Sequence, residues 1–214
     1  MTTDPIFRLN AILDAETAAR EAWDLLALGE ALLAGGARLI QIRAKHLSSA
    51  QFLRISEQLV AAGRGCGAQI IINDRVDVAK LSGASGVHLG QDDMPAADAR
   101  AMLGPNAIIG SSTHTVAQID AALREPVTYI AVGPVFGTRT KDTGYDTVGL
   151  ALVREAARRA GVVPVVAIGG ITLETAPQVI AAGAASVAVI SDLLIGGDPA
   201  ARVRTYIDSL EAPS

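Results

Sequence analysis

Two aspartates, Asp74 and Asp93, each come shortly after a short apolar run of the chain. The two runs, residues 70–72 and 86–89, are short, apolar and partly β-branched, which is typical of buried parallel strands. If these strands are neighbours in a barrel, both carboxylates lie at its carboxyl-terminal rim. Protein carboxylates hold Mg²⁺ together with water and phosphate oxygens. The pair therefore predicts a magnesium site that handles a phosphorylated substrate, although each aspartate alone also fits a helix start.

Three polar side chains at the end of an earlier apolar run predict an anion site. Gln41, Arg43 and Lys45 alternate along one extended segment, so they point to the same side of it. Polar side chains that face into a barrel are costly unless they bind something. A guanidinium group can bind two phosphate oxygens at once. We therefore expect an anionic substrate here, and a solvated strand end is the alternative.

Hydroxyl and glycine residues follow later apolar runs in the same way. Ser112 precedes a helix, where it fits either an ordinary cap or a donor to a phosphate group. The loop 133–144 is long, rich in glycine and hydroxyl groups, and basic, which is typical of a loop that closes over a substrate or of an exposed surface loop. Gly169, Gly170 and Ser191 follow the seventh and eighth runs, where barrels often bind phosphate, although a tight turn also explains the glycines.

The histidines and the cysteine predict no metal cluster. The three histidines are far apart and lack the spacing of a zinc site. We expect His88 to face the pocket as a substrate contact, and His46 and His114 to lie at the rim or surface. Cys66 is the only cysteine, which excludes an internal disulfide, and we expect it to be inert in a reducing compartment.

The positioning of these residues depends on strands and helices that alternate along the chain. The strand candidates are residues 7–13, 39–43, 69–73, 86–89, 107–111, 129–132, 164–168 and 186–190. The helix candidates lie near residues 17–34, 48–63, 75–82, 95–102, 115–123, 149–159, 174–182 and 198–210. Eight strand–helix units predict an α/β fold, a (β/α)8 TIM barrel in a single domain over residues 1–214. An open doubly wound sheet is the competitor, but no Gly-x-Gly-x-x-Gly follows the first strand candidate.

The bulk composition excludes several function classes. The chain has 214 residues, half of them hydrophobic, which suffices for one barrel with a substantial core. Its net charge of −4 argues against a generic nucleic-acid surface or an anionic-membrane surface. The first residues include Asp4 and Pro5 and show no basic-plus-apolar pattern, so we expect no signal segment. The uncharged stretch 175–191 contains Pro177 and Gly183, which predict helix, turn and strand. We expect a cytoplasmic protein that binds small molecules, with no nucleic-acid or membrane partner.

Taken in order, the motifs closely resemble the thiamine phosphate synthase family. They are residues 41–45 (QIRAK), 72–75 (INDR), 86–93 (GVHLGQDD), 110–114 (GSSTH), 133–136 (GPVF), 138–141 (TRTK), 167–171 (AIGGI) and 189–191 (VIS). The resemblance runs from about residue 25 to residue 195. It implies a (β/α)8 transferase that joins 4-amino-2-methyl-5-hydroxymethylpyrimidine diphosphate to thiazole phosphate or its carboxylate. The products would be thiamine phosphate and diphosphate.

The resemblance also implies roles for individual residues. The metal ligands for Mg²⁺ would be Asp74 and Asp93. The pyrimidine diphosphate would contact Gln41, Arg43, Lys45, Asn73, Ser112, Thr138, Thr140 and Lys141. The thiazole phosphate would contact Gly170, Ile190 and Ser191. The catalytic residues that stabilise charge on the leaving diphosphate would be Arg43, Lys45, Ser112 and Lys141.

Other functions stay open at this point. A thiazole tautomerase would need no diphosphate or magnesium site, and a non-catalytic binder of thiazole or thiamine phosphate would need no chemistry at all. An unrelated phosphosugar isomerase could use the same barrel, because a fold does not fix a function. In its first strand the family usually has an aromatic residue followed by a Thr-Asp pair, whereas the segment here is residues 7–14 (FRLNAILD), so no pocket contact is carried over to it. The sequence leaves the oligomeric state open, and a homo-oligomer is compatible with it.

Overall fold

The computed structural model describes residues 7–137 and 146–211. Eight parallel strands pair in sequence order and close into a barrel, with the eighth beside the first. The strands are β1 (Leu9–Asp14), β2 (Leu39–Arg43), β3 (Gln69–Asn73), β4 (Gly86–Leu89), β5 (Ile108–Thr113), β6 (Tyr129–Val132), β7 (Val165–Ile168) and β8 (Ser186–Val189). The predicted (β/α)8 barrel is therefore confirmed, and the open doubly wound sheet is excluded.

Helices connect the strands on the outside of the barrel. They are α1 (Ala15–Arg20), α2 (Leu25–Ala34), α3 (Ser49–Arg64), α4 (Val76–Ser82), α5 (Ala96–Leu103), α6 (Val116–Ala122), α7 (Gly149–Ala160), α8 (Ala176–Ala181) and α9 (Pro199–Glu211), with a 3-10 turn at Ser191–Leu194. Among the helices of the described residues, none has the length and apolar character needed to cross a membrane.

The first helical segment differs from the prediction of one helix over residues 17–34. It forms two helices, α1 and α2, because two carboxylates each start a helix. Asp14 accepts a hydrogen bond from the Thr17 backbone N–H, and Asp24 accepts one from the Ala27 backbone N–H. Between them the backbone of Ala22 has a φ of 58°, which a continuous right-handed helix cannot contain.

Strand β5 is longer than the predicted segment 107–111. It continues through Ser112 and Thr113, which pair with Ala131 and Val132 of β6. The Thr113 hydroxyl also donates to the carbonyl oxygen of Ala131, which satisfies a polar group buried in the barrel wall. Ser112 is therefore a strand residue whose direction is fixed by the sheet. The alternative in which Ser112 is an ordinary helix cap is wrong, because the side chain of Thr115 caps α6.

Apolar side chains fill two layers of the molecule. The larger layer lies between the strands and the helices, and it includes Leu13, Ile42 and Ile109. The smaller layer fills the inside of the barrel with Ile12, Tyr129, Ala131, Val166 and Ala188. Because neighbouring residues of a strand point to opposite faces, each strand contributes to both layers.

A single arginine joins two loops at the amino-terminal rim of the barrel. The Arg100 guanidinium donates to the carbonyl oxygens of Gly104, Pro105, Ala107 and Pro126 and to the hydroxyl of Thr128. These acceptors lie in the segments that lead into β5 and β6. One cation therefore holds the entrances of two neighbouring strands in place.

Candidate active site

A cavity of about 950 Å³ opens at the carboxyl-terminal rim of the barrel. This volume lies in the range of small-molecule binding sites. Its lining includes eight residues predicted from the sequence, namely Gln41, Arg43, Asn73, His88, Ser112, Gly170, Ile190 and Ser191. The predicted contacts Thr138, Thr140 and Lys141, and most of the loop 133–144, lie outside the described residues.

Asp74 and Asp93 approach each other beside this cavity. They are in hydrogen-bonding contact, and Lys45 Nζ lies 3.4 Å from Asp74 Oδ2. Burial raises the pKa of Asp93, and the hydrogen bond with Asp74 raises this pKa further. Two carboxylates brought together in this way share either a proton or a cation.

Neither aspartate is a helix cap in the structure, although both sequence positions allowed one. Helix α4 follows Arg75 and helix α5 follows Pro95, and neither helix start has a side-chain cap. The Asp93 carboxylate instead accepts a hydrogen bond from the Gly90 backbone N–H, at 2.6 Å. Asp74 has a φ of 64°, a left-handed conformation that is uncommon outside glycine and that concentrates at functional sites.

Arg43 is held at the rim by a residue that the sequence prediction missed. Its Nη1 atom lies 2.5 Å from Asp14 Oδ2, and its side chain is only 11% exposed. The same Asp14 carboxylate starts helix α1 through Thr17. Register provides the signal, because Asp14 and Arg43 are paired positions of the neighbouring strands β1 and β2. Strand β1 therefore contributes to the site, through Asp14 beside Arg43 and through Ile12 in the cavity lining.

His88 joins the barrel interior to the cavity. Its Nδ1 atom lies 2.9 Å from the Tyr129 hydroxyl, and its Nε2 atom lies 2.8 Å from the Ser112 hydroxyl. Tyr129 is completely buried, and burial raises the pKa of its phenol well above the ordinary value. The predicted orientation of His88 toward the pocket is confirmed. Tyr129 was missed, because one tyrosine in an apolar strand carries no sequence signal of its own.

The other two histidines lie at the periphery, as predicted. The His46 side chain is largely exposed beside Glu16. His114 lines the cavity edge and is hydrogen-bonded through Nδ1 to the carbonyl oxygen of Gly133. No cluster of three or more metal-ligating side chains is found in residues 7–137 and 146–211.

The loops after β7 and β8 form the opposite side of the cavity. Gly170 has a φ of 62°, and a Cβ atom there would collide with the backbone oxygen of Gly137 and with Phe136. Asp192 lies in the 3-10 turn and accepts hydrogen bonds from the backbone N–H of Leu173, from Arg202 and from the Tyr206 hydroxyl. This carboxylate fastens both loops to helix α9.

Comparison with known proteins identifies the family. The family model described as thiamine monophosphate synthase matches residues 9–193. The chain belongs to the thiamine monophosphate synthase family. Its barrel, its cavity and its paired rim carboxylates are thus features of a member of this family.

Curated relatives of the family cover most of the chain. The thiamine-phosphate synthase of Mycobacterium sp. (strain JLS) is 43% identical over 202 residues, which cover 90% of this chain and 89% of the relative. That of Roseiflexus castenholzii (strain DSM 13941 / HLO8) is 42% identical over 184 residues, covering 86% and 80%. A solved structure, thiamine phosphate pyrophosphorylase from Pyrococcus furiosus, superposes with a TM-score of 0.83 at 30% identity and covers 96% of this chain and 98% of its own. The predicted family and its transferase class are confirmed.

Proposed function

We propose that this protein couples 4-amino-2-methyl-5-hydroxymethylpyrimidine diphosphate with thiazole phosphate, or its carboxylate, to give thiamine phosphate and diphosphate with the assistance of Mg²⁺. One observation carries the proposal. The carboxylate pair Asp74 and Asp93 follows β3 and β4 at the rim of the cavity, whereas the glycine loop at Gly170 lines the cavity after β7, on the opposite side of the barrel. A single cavity thus offers two separate ends for two phosphorylated substrates.

The diphosphate end is supported by charge. Asp74 and Asp93 would hold Mg²⁺, because their contact and the raised pKa of Asp93 fit a site that a divalent cation would complete. When bound, magnesium neutralises charge on a diphosphate and improves it as a leaving group. Lys45 is ion-paired with Asp74, so it would accompany the diphosphate at this end.

Arg43 and Ser112 supply further donors to the same end. Arginine carries five N–H donors, and Asp14 engages only those on Nη1 of Arg43. Arg43 lines the cavity, and its Nη2 atom makes no hydrogen bond among the described residues, so part of this guanidinium remains for a ligand. Ser112 faces the cavity from β5. Gln41 and Asn73 are buried in the cavity floor, where their amide groups would select the pyrimidine diphosphate. Lys141, outside the described residues, stays a predicted fourth contributor.

The thiazole end is supported by close backbone approach. The backbone of Gly170 itself lines the cavity, in a left-handed conformation that glycine adopts readily, so a phosphate group could approach main-chain atoms there. Ile190 and Ser191 line the cavity beside it, at the end of β8. We assign the thiazole phosphate to these three residues.

The chemistry needs no protein nucleophile. The bond between the pyrimidine methylene carbon and the diphosphate oxygen breaks, and the diphosphate leaves with the electron pair. The 4-amino group stabilises the resulting cation by resonance, and the thiazole nitrogen supplies the pair for the new bond. When the carboxylated thiazole is used, carbon dioxide leaves as well. The protein's task is to stabilise the departing charge and to exclude water, which would otherwise capture the cation.

The test is a coupled assay with purified protein, both substrates, and either Mg²⁺ or a chelator. We expect thiamine phosphate and diphosphate to appear in equal amounts and only with the metal. A folded protein that binds thiazole phosphate but forms no product would contradict the proposal. It would favour the thiazole tautomerase or the non-catalytic binder.

The cellular setting belongs to the same proposal. We propose that the chain acts as one domain in the cytoplasm on small charged substrates, without nucleic acid or membrane. Every residue assigned above belongs to one chain, so the activity needs no residue from a partner subunit. A homo-oligomer is therefore compatible with this activity. Cell fractionation tests the compartment, and sedimentation velocity at several protein concentrations tests the oligomeric state.

A further inference from the structure

A hydrogen-bonded chain runs from the centre of the barrel to the cavity wall. It consists of the Tyr129 hydroxyl, the two ring nitrogens of His88 and the Ser112 hydroxyl, with distances of 2.9 Å and 2.8 Å. The three residues lie on β6, β4 and β5. Tyr129 is buried inside the barrel, whereas His88 and Ser112 line the cavity.

The buried end of this chain determines the direction of its hydrogen bonds. Within the described part of the molecule, the Tyr129 hydroxyl has His88 Nδ1 as its hydrogen-bond partner and no other. A buried O–H group without an acceptor is costlier than an unused lone pair. The phenol therefore donates its hydrogen to Nδ1.

This donation fixes the tautomer of His88. If Nδ1 accepts, the neutral imidazole carries its hydrogen on Nε2. The alternative neutral tautomer and the imidazolium both place a hydrogen on Nδ1, facing Tyr129, and leave the phenolic hydrogen without an acceptor. With the hydrogen on Nε2, His88 donates to the oxygen of Ser112.

We propose that Tyr129 and His88 are positioning residues that turn the Ser112 hydroxyl into a donor aimed at the diphosphate. An oxygen that already accepts from Nε2 keeps its own hydrogen available for an anion in the cavity. The opposite direction would use the serine hydrogen on the imidazole and present a lone pair to the anion, which repels it. This inference rests on the proposed function only in naming the diphosphate as the anion.

The surrounding structure leaves space for this chain. The rings of Tyr129 and His88 are stacked with centroids 5.6 Å apart and planes 19° apart. Gly110 lies beside both rings, and a Cβ atom there would overlap the Tyr129 ring and hydroxyl and approach His88 Nδ1 to 2.6 Å. Glycine at this strand position is what allows the two side chains to meet.

The first measurement is the tautomer of His88 in the substrate-free protein. A long-range ¹H–¹⁵N correlation spectrum distinguishes the two ring nitrogens, and the variant His88→Asn assigns the signals. We expect the hydrogen on Nε2 in the unsubstituted protein and a mixture of tautomers in Tyr129→Phe. A hydrogen on Nδ1 in the unsubstituted protein would overturn the proposal, whether or not the phenylalanine variant folds.

A matched control distinguishes loss of the hydrogen bond between Tyr129 and His88 from the general effect of removing a buried hydroxyl group. Tyr206 is also fully buried, but its hydroxyl donates to Asp192 instead of a histidine. We expect Tyr206→Phe to leave the His88 tautomer unchanged. A tautomer shift of the same size in both variants would contradict a specific role of Tyr129.

The second measurement tests whether Tyr129 acts through Ser112. Inorganic diphosphate with Mg²⁺ is titrated by calorimetry, and kcat/KM for the pyrimidine diphosphate is measured in parallel. We expect Tyr129→Phe to weaken diphosphate binding and lower kcat/KM about fivefold, with KM for thiazole phosphate unchanged. In a Ser112→Ala background the same substitution should have no further effect, whereas equal losses in both backgrounds would show a merely structural role.

These measurements separate the two proposals. Tautomer and diphosphate affinity are both measured without turnover. A protein with the expected tautomer and with weaker diphosphate binding in Tyr129→Phe, but without thiamine phosphate formation, would retain the positioning role and lose the proposed reaction. Unchanged diphosphate affinity in a folded Tyr129→Phe variant would overturn the positioning role alone.

Discussion

Charged residues at the two rims of this barrel have opposite effects on stability. At the amino-terminal rim, Arg100 is surrounded by five acceptors, and every contact joins neighbouring segments of the chain. At the carboxyl-terminal rim, Asp74 and Asp93 face each other, and Asp74 has a left-handed backbone. The first arrangement stabilises the fold, whereas the second brings like charges together and costs stability. Such a cost is expected where a protein prepares a binding site.

The largest effect is expected at the carboxylate pair. Asp74→Asn keeps the shape of the side chain and tolerates the left-handed backbone, but it removes one charge. We expect kcat/KM to fall by at least about 100-fold, as for loss of a principal electrostatic group, with the melting temperature unchanged or higher. Steady-state assays over a range of magnesium concentrations and thermal unfolding provide the measurements.

Asp92→Asn is the matched control for this experiment. Asp92 is exposed next to Asp93 and is not among the proposed ligands. We expect this variant to keep its magnesium dependence. Full activity of Asp74→Asn, or an equal loss in Asp92→Asn, would remove the assigned metal role and with it the contrast between the rims.

Substitution of Arg43 should lower both stability and activity, since Arg43 is a proposed ligand contact and also the partner of a buried carboxylate. Arg43→Met fills similar volume but leaves Asp14 unpaired. We expect a loss of about 3–5 kcal/mol in unfolding free energy together with a large loss of activity. Denaturant unfolding monitored by circular dichroism measures the first quantity. The double variant Asp14→Asn, Arg43→Met should recover part of the stability without the activity, and failure to recover any would contradict the ion-pair explanation.

The amino-terminal rim should affect stability alone. Arg100→Met removes the hydrogen bonds to the loops before β5 and β6 but touches nothing near the cavity. We expect a loss of about 2–3 kcal/mol in unfolding free energy, the size typical of hydrogen bonds to a charged group, with kcat/KM nearly unchanged at 25 °C. A drop in activity as large as that of Asp74→Asn, in protein that is still folded, would break the division between the rims.

The smallest effect is expected at Cys66, which is predicted to be inert. Its thiol is half-buried after helix α3 and donates to the carbonyl oxygen of Gly63. We expect Cys66→Ser to change unfolding free energy by less than about 1 kcal/mol and to leave turnover unchanged. Inactivation of the unsubstituted protein by a thiol reagent, with Cys66→Ser protected, would contradict this expectation.

The sequence was sufficient for the architecture because the strands are short apolar runs in strict alternation with helices. All eight strand candidates lie within two residues of the observed strands at both ends, and β5 differs from its candidate in continuing through Ser112 and Thr113. The break between α1 and α2 was missed because a helix-like composition continues through Ala22. What divides the segment is a second capping carboxylate, Asp24, whose role becomes visible only with the backbone.

The site could be predicted mainly where a polar residue lies at or just past the carboxyl end of a strand. Asn73 is the last residue of β3 and His88 lies near the end of β4, and both line the cavity. Tyr129 and Asp14 were missed for a common reason: their importance comes from a partner on another strand. Register determines such partnerships, and local patterns do not contain it. Asp192 was missed for the same reason, since its partners lie in α9 and after β7.

Asp192 also ties the completion of the pocket to the synthesis of helix α9. Its carboxylate accepts from Arg202 and Tyr206, which lie on the last helix, and from the Leu173 backbone in the loop after β7. On the ribosome, all eight strands will have been made before Arg202 and Tyr206 emerge. A nascent chain halted before residue 202 can therefore hold every strand of the barrel while the turn at Asp192 still lacks its two contacts to α9. If thiazole phosphate binds beside this turn as proposed, its binding would report the docking of α9.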